Sequence, residues 1–543
     1  MNQETPKIEV FNTKIVIHNY NVDDSPEFEN FFKKYNKAIH KFEEHGIEYR
    51  DFSDEGMKAV IPGGFNKDYL IEWFNEFPQI NESYDPYEKD LYIRLAYGPR
   101  DDVQKEAIDF IVGRNKYLPI ADNPQLCVNL NTGKGKTFVT IACSAYLGIK
   151  SIIILSSRDW MVQWKNCICE YTDTTPNEIY ELAGVSSIAL ILHGKINLKN
   201  VKYFLASHQT IQSYGNKYGW DKVTELFKLI GVGIKIYDEA HLYYDNIFKI
   251  DFYTNTKKTL YLTATPARSD RDEDRVYQAA FAECPKIDLF DEEKDPRTHY
   301  VAVKYNSHPT EADIEKCNNR RAQCFDVNAY CRYQVSNPTF YKILRIILEE
   351  IFMRGKALIY VGLNDAILQI KDWIIYNYPW LKNQIGVYTS IIPKEKKVFE
   401  KEKMIILTTT KSAGAALDIK GLKVTVILSE IFKSQVTARQ ALGRTRDFDT
   451  LCIECVDTGF TAAVACYNNK LPTMQEYALD TEEVWLSDLD IDYRIAEIMK
   501  TEEERIKNIY KSDNLKQLVE IVDDQEKINE LLNEIYSNTE SEN

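Results

Sequence analysis

A lysine and a threonine close the run NLNTGKGKT at residues 129–137, and an aspartate and a glutamate open DEAH at 238–241. The first run follows apolar residues 126–128 and precedes 138–146, which reads as a helix. That order is the strand, glycine loop and helix of a phosphate-binding loop. Gly133 and Gly135 lack a Cβ, so the backbone can turn tightly and approach a phosphate. Thr132, Gly133, Lys134 and Gly135 form the loop whose N–H groups, with the helix N-terminus, face an anion. Lys136 adds a full charge for the β- and γ-phosphates, and the Thr137 hydroxyl can sit on Mg²⁺. The strict pattern has a glycine five residues before Gly135, where Leu130 stands, and the fit runs from Thr132 onward. The alternative is a glycine turn opening an ordinary helix.

DEAH ends the apolar stretch 234–237, which reads as a buried strand. Asp238 can hold Mg²⁺ through its water shell, and Glu239 can orient and deprotonate an attacking water. His241 can link this turn to residues 263–266 (TATP), where the hydroxyls of Thr263 and Thr265 can bond back. Upstream, Gln104 lies in the helix predicted over 100–111, and its amide can pair with adenine N6 and N7. An exposed polar helix residue is the equal alternative.

These residues need a parallel sheet behind them. Residues 151–155 (SIIIL) form a near-continuous apolar strand, as burial on both faces requires. Strands are also expected at 201–205 and 260–262, with ligands at their carboxyl ends. A second α/β unit starts near Asn337, with a helix over 341–353 and strands over 356–361, 404–407 and 424–428. It has no phosphate loop of its own, yet it carries Gln440, Arg444 and Arg446 at 435–446 (QVTARQALGRTR). Arginines offered from a nucleotide-free unit can complete a site in trans; a basic surface helix is the alternative. The N-terminal part reads as a small α+β unit. It has strands at 13–18 and 57–61, a helix over 26–44 with aromatic residues at helical spacing, and a second helix over 67–76. The aromatic stripe is read as core rather than as a base-stacking platform. Residues 284–335 read as a charged connector with one helix. From 469 the chain is acidic and helical.

At 543 residues, a prior of roughly 100–200 residues per domain gives three or four domains. A net charge of -15 argues against electrostatic coating of nucleic acid, but not against a cleft with local basic groups. No apolar run reaches the roughly 18 residues that would span a bilayer, so no membrane partner is expected. The polar start of the chain lacks a signal-peptide core, and a cytoplasmic location is expected. Eleven cysteines, an odd number, point to reduced thiols. Cys317, Cys324 and Cys331 recur every seven residues and would share a helix face; neither they nor Cys452 and Cys455 complete a zinc set.

Taken in order, the segments around Arg100 and Gln104, NTGKGKT, SSRDWMVQW, YDEAH, LTATP, KSAGAALD and QALGRTR resemble the motifs of superfamily 2 helicases. Within them the chain is most similar to bacteriophage recombination and branch-migration helicases of the UvsW type and to related viral transcript-release helicases. The resemblance spans roughly 91–465. It implies an α/β fold of two RecA-like parallel-sheet domains, with a small α+β N-terminal domain and a helical C-terminal extension. The expected boundaries are 1–90 (accessory, DNA-binding), 91–283 (ATP-binding), 284–335 (connector), 336–468 (second RecA-like domain) and 469–543 (extension).

The resemblance also implies site roles. ATP and Mg²⁺ are the cofactors, with Arg100, Gly414, Asp418 and Arg446 added to the nucleotide site. Lys136, Asp238, Glu239, Gln440 and Arg444 carry catalysis. Ser156, Arg158, Ser207, Gln209, Thr410 and Ser412 contact nucleic acid. The family's second arginine falls where Asp447 stands, which weakens the role of Arg446. The implied activity is ATP-dependent unwinding or branch migration of single-stranded, forked or branched DNA. A duplex translocase without strand separation, an RNA-remodelling helicase and a nucleotide-dependent scaffold are the alternatives.

Overall fold

The computed structural model describes residues 6–21, 25–36, 41–52, 56–130, 135–263, 271–289, 298–319, 324–413, 419–431, 438, 441–442, 444 and 449–511. Two seven-stranded sheets, every neighbouring pair parallel, organise the chain. The first runs Ile179–Leu182, Tyr203–Ser207, Ser151–Leu155, Ile234–Tyr237, Lys258–Thr263, Gln125–Leu130 and Lys286–Leu289. Its central strands are buried along their whole length, because helices cover both faces. One apolar cluster on each face of this sheet forms its core.

The second sheet runs Ile385–Tyr388, Ile405–Thr408, Ala357–Tyr360, Val424–Ile427, Thr450–Asp457, Thr298–Tyr305 and Asp480–Trp485. Two of these strands lie outside the span expected for this unit. Thr298–Tyr305 pairs over eight residues with Thr450–Asp457, so the unit begins well before Asn337. The same strand pairs on its other side with Asp480–Trp485, from the expected helical extension. Lys286–Leu289 likewise belongs to the first sheet rather than to a connector. After the edge strand Asp480–Trp485, the helix Asp488–Lys511 packs on Pro338–Arg354.

The N-terminal unit is a five-stranded sheet, in the order Glu48–Phe52, Gly56–Pro62, Lys14–His18, Lys7–Val10 and Gln79–Ile80. The helix expected over 26–44 stops at Phe31, and Lys33–Asn36 and Lys41–Glu44 form an antiparallel hairpin. Phe28 and Phe32 are fully buried, whereas Tyr35 and Phe42 face each other across the hairpin, and Phe42 is 66% exposed. The aromatic stripe is therefore core only in its first half. Arg275 holds the hairpin's base by donating to the carbonyls of Phe31 and Lys33.

This unit is built onto the first sheet's helices. Thr13 donates to the Asp251 carbonyl at 2.9 Å, and Lys14 and Arg50 donate to the Phe252 carbonyl at 2.7 and 3.2 Å. At Gly64 a Cβ would come within 2.3 Å of Cys284 Sγ, so only glycine allows that contact. Cys317, Cys324 and Cys331 fall at the end of one helix, in a short strand and in a second helix, not on one helix face.

Candidate nucleotide site between two parallel sheets

Strand Gln125–Leu130 leads into the glycine loop, and helix Lys136–Leu147 leaves it with Gly135 as its N-cap, at φ +86°. Thr132, Gly133 and Lys134 lie outside the described residues. The helix begins at Lys136, so the N–H groups of its first turn have no intrahelical partner. Lys136 Nζ donates to Glu239 Oε1 at 2.7 Å, and both side chains are largely buried. This contact joins two motifs 103 residues apart.

Strand Ile234–Tyr237 delivers the acidic pair. Asp238 N donates to the Ile154 carbonyl, which continues the sheet ladder by one residue. Glu239 then adopts φ +49°, a left-handed conformation that costs a non-glycine residue energy and persists only where its surroundings hold it. Three groups hold it: Lys136 on Oε1, His241 Nδ1 3.5 Å from Oε2, and the short helical turn Ala240–Leu242. His241 Nδ1 also lies 2.9 Å from Thr263 Oγ1, which ties the acidic turn to the end of strand Lys258–Thr263. Thr265 lies outside the described residues.

The two carboxylates are driven apart in acidity. Burial and then the neighbouring Glu239 charge raise Asp238, with Lys136 and a hydrogen bond from Trp164 offsetting part of the rise. Burial also pushes Glu239 upward, but Lys136, His241 and Arg444 outweigh it and hold the carboxyl below its ordinary value. Glu239 is thus an ionised carboxylate whose Oε2 has no hydrogen-bond partner among the described residues. A buried acceptor in that state can take a water proton.

Arg444 comes from the second unit. It is 7% exposed, and its guanidinium bonds the Tyr360 hydroxyl at the end of strand Ala357–Tyr360. Its charge nevertheless acts on Glu239 of the first unit, so the site is composite. Trp160, from the first unit, packs against the apolar cluster of the second. Gln440, Arg446, Gly414 and Asp418 lie outside the described residues.

Gln104 is buried rather than an exposed helix residue. Its Oε1 accepts the Arg100 N–H at 2.8 Å, and its Nε2 lies where a Cβ on Gly135 would sit. The amide therefore packs against Gly135, the N-cap of helix Lys136–Leu147. The Arg100 guanidinium is exposed and pairs with Asp101.

The expected nucleic-acid residues divide. Ser207 is fully buried and its hydroxyl accepts the Thr210 N–H as the cap of helix His208–Tyr218, so that side chain is not available to a ligand. Gln209, two residues on, is exposed. Arg158 is exposed at the start of helix Asp159–Tyr171, beside a half-buried Ser156. Thr410 and Ser412 are half-buried in the short helix Thr410–Ala413; the Thr410 N–H is held by Glu430, and Ser412 by Thr409.

Sequence reasoning gave no role to Trp164. Its indole caps Asp238, and the helical spacing of 159–171 marks it only as core. The network around Asp251 was equally unmarked. This buried carboxylate accepts the hydroxyls of Tyr237 and Tyr261 at 2.6 and 2.7 Å and pairs with Lys235 at 2.6 Å.

Residues 99–268 match the family model described as type III restriction enzyme, res subunit. That stretch holds the phosphate loop, the acidic turn and the strand ending at Thr263. The DNA 3'-5' helicase XPB of Mycobacterium tuberculosis is 31% identical over 150 residues, 28% of this chain and 25% of that protein. The Rad25 protein of Haloarcula marismortui is 28% identical over 145 residues, 27% of this chain and 20% of that protein. The chain thus spans a fifth to a quarter of the length of these curated relatives. Among solved structures, S. cerevisiae Dbp5 bound to RNA and ADP BeF3 aligns with a TM-score of 0.48 at 14% identity, over 73% of this chain and 92% of that one. T4 UvsW aligns with a TM-score of 0.32 at 13% identity, over 89% of this chain and 100% of that one. The strand order of the two sheets, rather than these likenesses, defines the fold.

Proposed function

We propose that the protein is an ATP-driven DNA motor of the superfamily 2 helicase type, which hydrolyses ATP between its two parallel sheets. The observation that carries this reading is the composite site: Lys136 on Glu239 within one unit, and the charge of Arg444 reaching that glutamate from the other. The matches to DNA helicases and to a restriction-enzyme motor subunit support it.

The residues fit the two implied ligands. Lys136 and the N–H groups opening its helix would hold phosphates, and the Gln104 amide, packed against Gly135, would face the base. Asp238 and the Thr137 hydroxyl are oxygen donors of the kind Mg²⁺ takes, and Mg²⁺ when bound supplies neutralisation of phosphate charge. Lys136 exchanges its Glu239 contact for a phosphate, which frees both oxygens of that carboxylate. Glu239 then orients a water and accepts its proton, while Arg444 stabilises charge that grows on the phosphoryl oxygens. Closing and reopening of the two units would move the motor along a strand held by phosphate contacts. Binding should therefore weaken with salt and depend little on sequence. Gln209 and Arg158 on the first unit, with Ser412 on the second, are the proposed contacts. Branched or forked DNA, as for UvsW-type enzymes, is the proposed substrate, and the cytoplasm the proposed compartment.

The test is ATP hydrolysis by wild type and Lys136→Ala with single-stranded, blunt duplex, forked and four-way-junction DNA, and with RNA. Stimulation by forks or junctions, absent in the variant, supports the proposal. Stimulation by RNA alone moves the protein to RNA remodelling, and equal stimulation by blunt duplex makes it a duplex translocase. No turnover with any of them removes the motor reading.

A further inference from the structure

His208 is fully buried between the segment proposed to meet nucleic acid and the acidic turn. Its ring stacks on Tyr237 at 5.7 Å between centroids, with 13° between planes. On the other side it stacks on Tyr243 at 5.2 Å and 26°. Tyr237 is the residue before Asp238, and Tyr243 is the residue after the turn Ala240–Leu242. One imidazole therefore touches both ends of the five residues that carry Asp238, Glu239 and His241. Neither ring nitrogen has a hydrogen-bond partner among the described residues. Among the described residues the ring thus meets the flanks of the turn by shape and stacking, and leaving two polar atoms unpaired there is a cost that a phenyl ring would not carry.

The position of this ring is set from the other direction. It is the first residue of helix His208–Tyr218, whose start is fixed by the Ser207 cap, and its neighbour Gln209 points to solvent. The turn it holds is the strained one, with Glu239 at φ +49°. The same ring thus lies in contact with both residues that flank this turn, so the helix start and the turn share one packed side chain.

We propose that His208 is a positioning residue that couples strand engagement at the start of helix His208–Tyr218 to the catalytic turn at Asp238–His241. This rests on the motor reading above. A ligand drawn to Gln209 acts on hydrolysis through the stacked ring, not through a new hydrogen bond.

The experiment compares wild type, His208→Ala and His208→Phe in ATP turnover without DNA and across a titration of forked DNA. His208→Ala should lower DNA-stimulated kcat about tenfold relative to its own unstimulated rate, with the half-stimulating DNA concentration unchanged. His208→Phe keeps the ring and should recover most of that ratio. Tyr243→Leu, which strips one face of the stack from the outside, should repeat the loss and serves if His208→Ala does not fold. A purely structural role would lower both rates alike and leave the ratio as in wild type; that result overturns the proposal. A Phe variant as impaired as the Ala variant overturns it too. Wild type without any nucleic-acid stimulation would instead remove the motor reading itself.

Discussion

At the scale of single residues, Glu239 and His208 make opposite demands of burial. Glu239 is held ionised because Lys136, His241 and Arg444 outweigh the effect of burial. Glu239→Gln keeps the shape and the loop contacts but removes the base. ATP should still bind with near-normal affinity, while turnover falls by about 10²- to 10⁴-fold. Hydrolysis within a few-fold of wild type would strip Glu239 of that role. His208 faces the phenols of Tyr237 and Tyr243, and burial pushes it from 6.5 down to about 3. The folded protein therefore keeps it neutral, while the unfolded chain takes up a proton near pH 6.5. Below that pH the unfolded state binds the extra proton, so stability falls as pH falls, by about 1.4 kcal/mol per unit. The loss continues until the folded form titrates near 3. His208→Phe lacks the group. The difference in unfolding free energy between variant and wild type should therefore grow steadily from pH 6.5 to 4.5 in urea titrations. Parallel pH profiles would mean that the buried ring is already paired or protonated.

Secondary-structure elements carry the next level of the argument. Asp251 lies in helix Tyr244–Tyr253, yet its carboxylate binds two neighbouring strands through Tyr237, Tyr261 and Lys235, and its carbonyl accepts Thr13 of the N-terminal unit. Both charged side chains are buried, so losing one charge strands the other. Asp251→Asn should cost about 3 kcal/mol by leaving Lys235 uncompensated, and adding Lys235→Met should recover much of it. Urea midpoints of the single and double variants measure this, and a single variant costing under about 1 kcal/mol would show the pair to be solvated. The elements also show what a sequence can carry. SIIIL and the run before DEAH read as buried strands because burial on both faces leaves only apolar residues to choose from. Thr298–Tyr305 and Asp480–Trp485 escaped, for different reasons. The first follows a charged stretch and lies next to the sheet edge, with alternating burial; the second is the edge strand, and DTEEVW carries three acidic residues along it. The hairpin at Lys33–Asn36 and Lys41–Glu44 was hidden because its aromatic residues happen to continue the helical spacing of Phe28, Phe31 and Phe32.

In the whole molecule, the proposed chemistry depends on two units meeting. Lys136, Asp238 and Glu239 were legible because each sits in a short, dense motif that follows a strand: Lys136 opens the helix after the glycine loop, and the acidic pair follows Tyr237 directly. The contacts that make them one site were not, since Trp164, although the last residue of SSRDWMVQW, and His208 act through tertiary packing that no sequence spacing marks. Arg444 lies between these cases: its motif marked it, but only the folded chain puts its charge on Glu239. That arrangement gives Arg444 a defined signature. Its guanidinium bonds the Tyr360 hydroxyl, and the first unit's Trp160 packs on the second unit's core, so the two units are in contact. Arg444→Ala should therefore leave nucleotide binding to Lys136 and the loop essentially unchanged. Turnover should fall by about 10³-fold, because charge growing in the transition state loses its partner from across the cleft. Arg444→Lys should rescue little, since an ammonium cannot reproduce the planar fork. Nucleotide affinity measured beside single-turnover hydrolysis separates the outcomes. If affinity falls in step with turnover, Arg444 binds the ground state, and the second unit is part of the nucleotide-binding site rather than a gate on hydrolysis. If turnover alone collapses, hydrolysis is gated by the approach of the second sheet, as a motor that moves by closing and reopening requires.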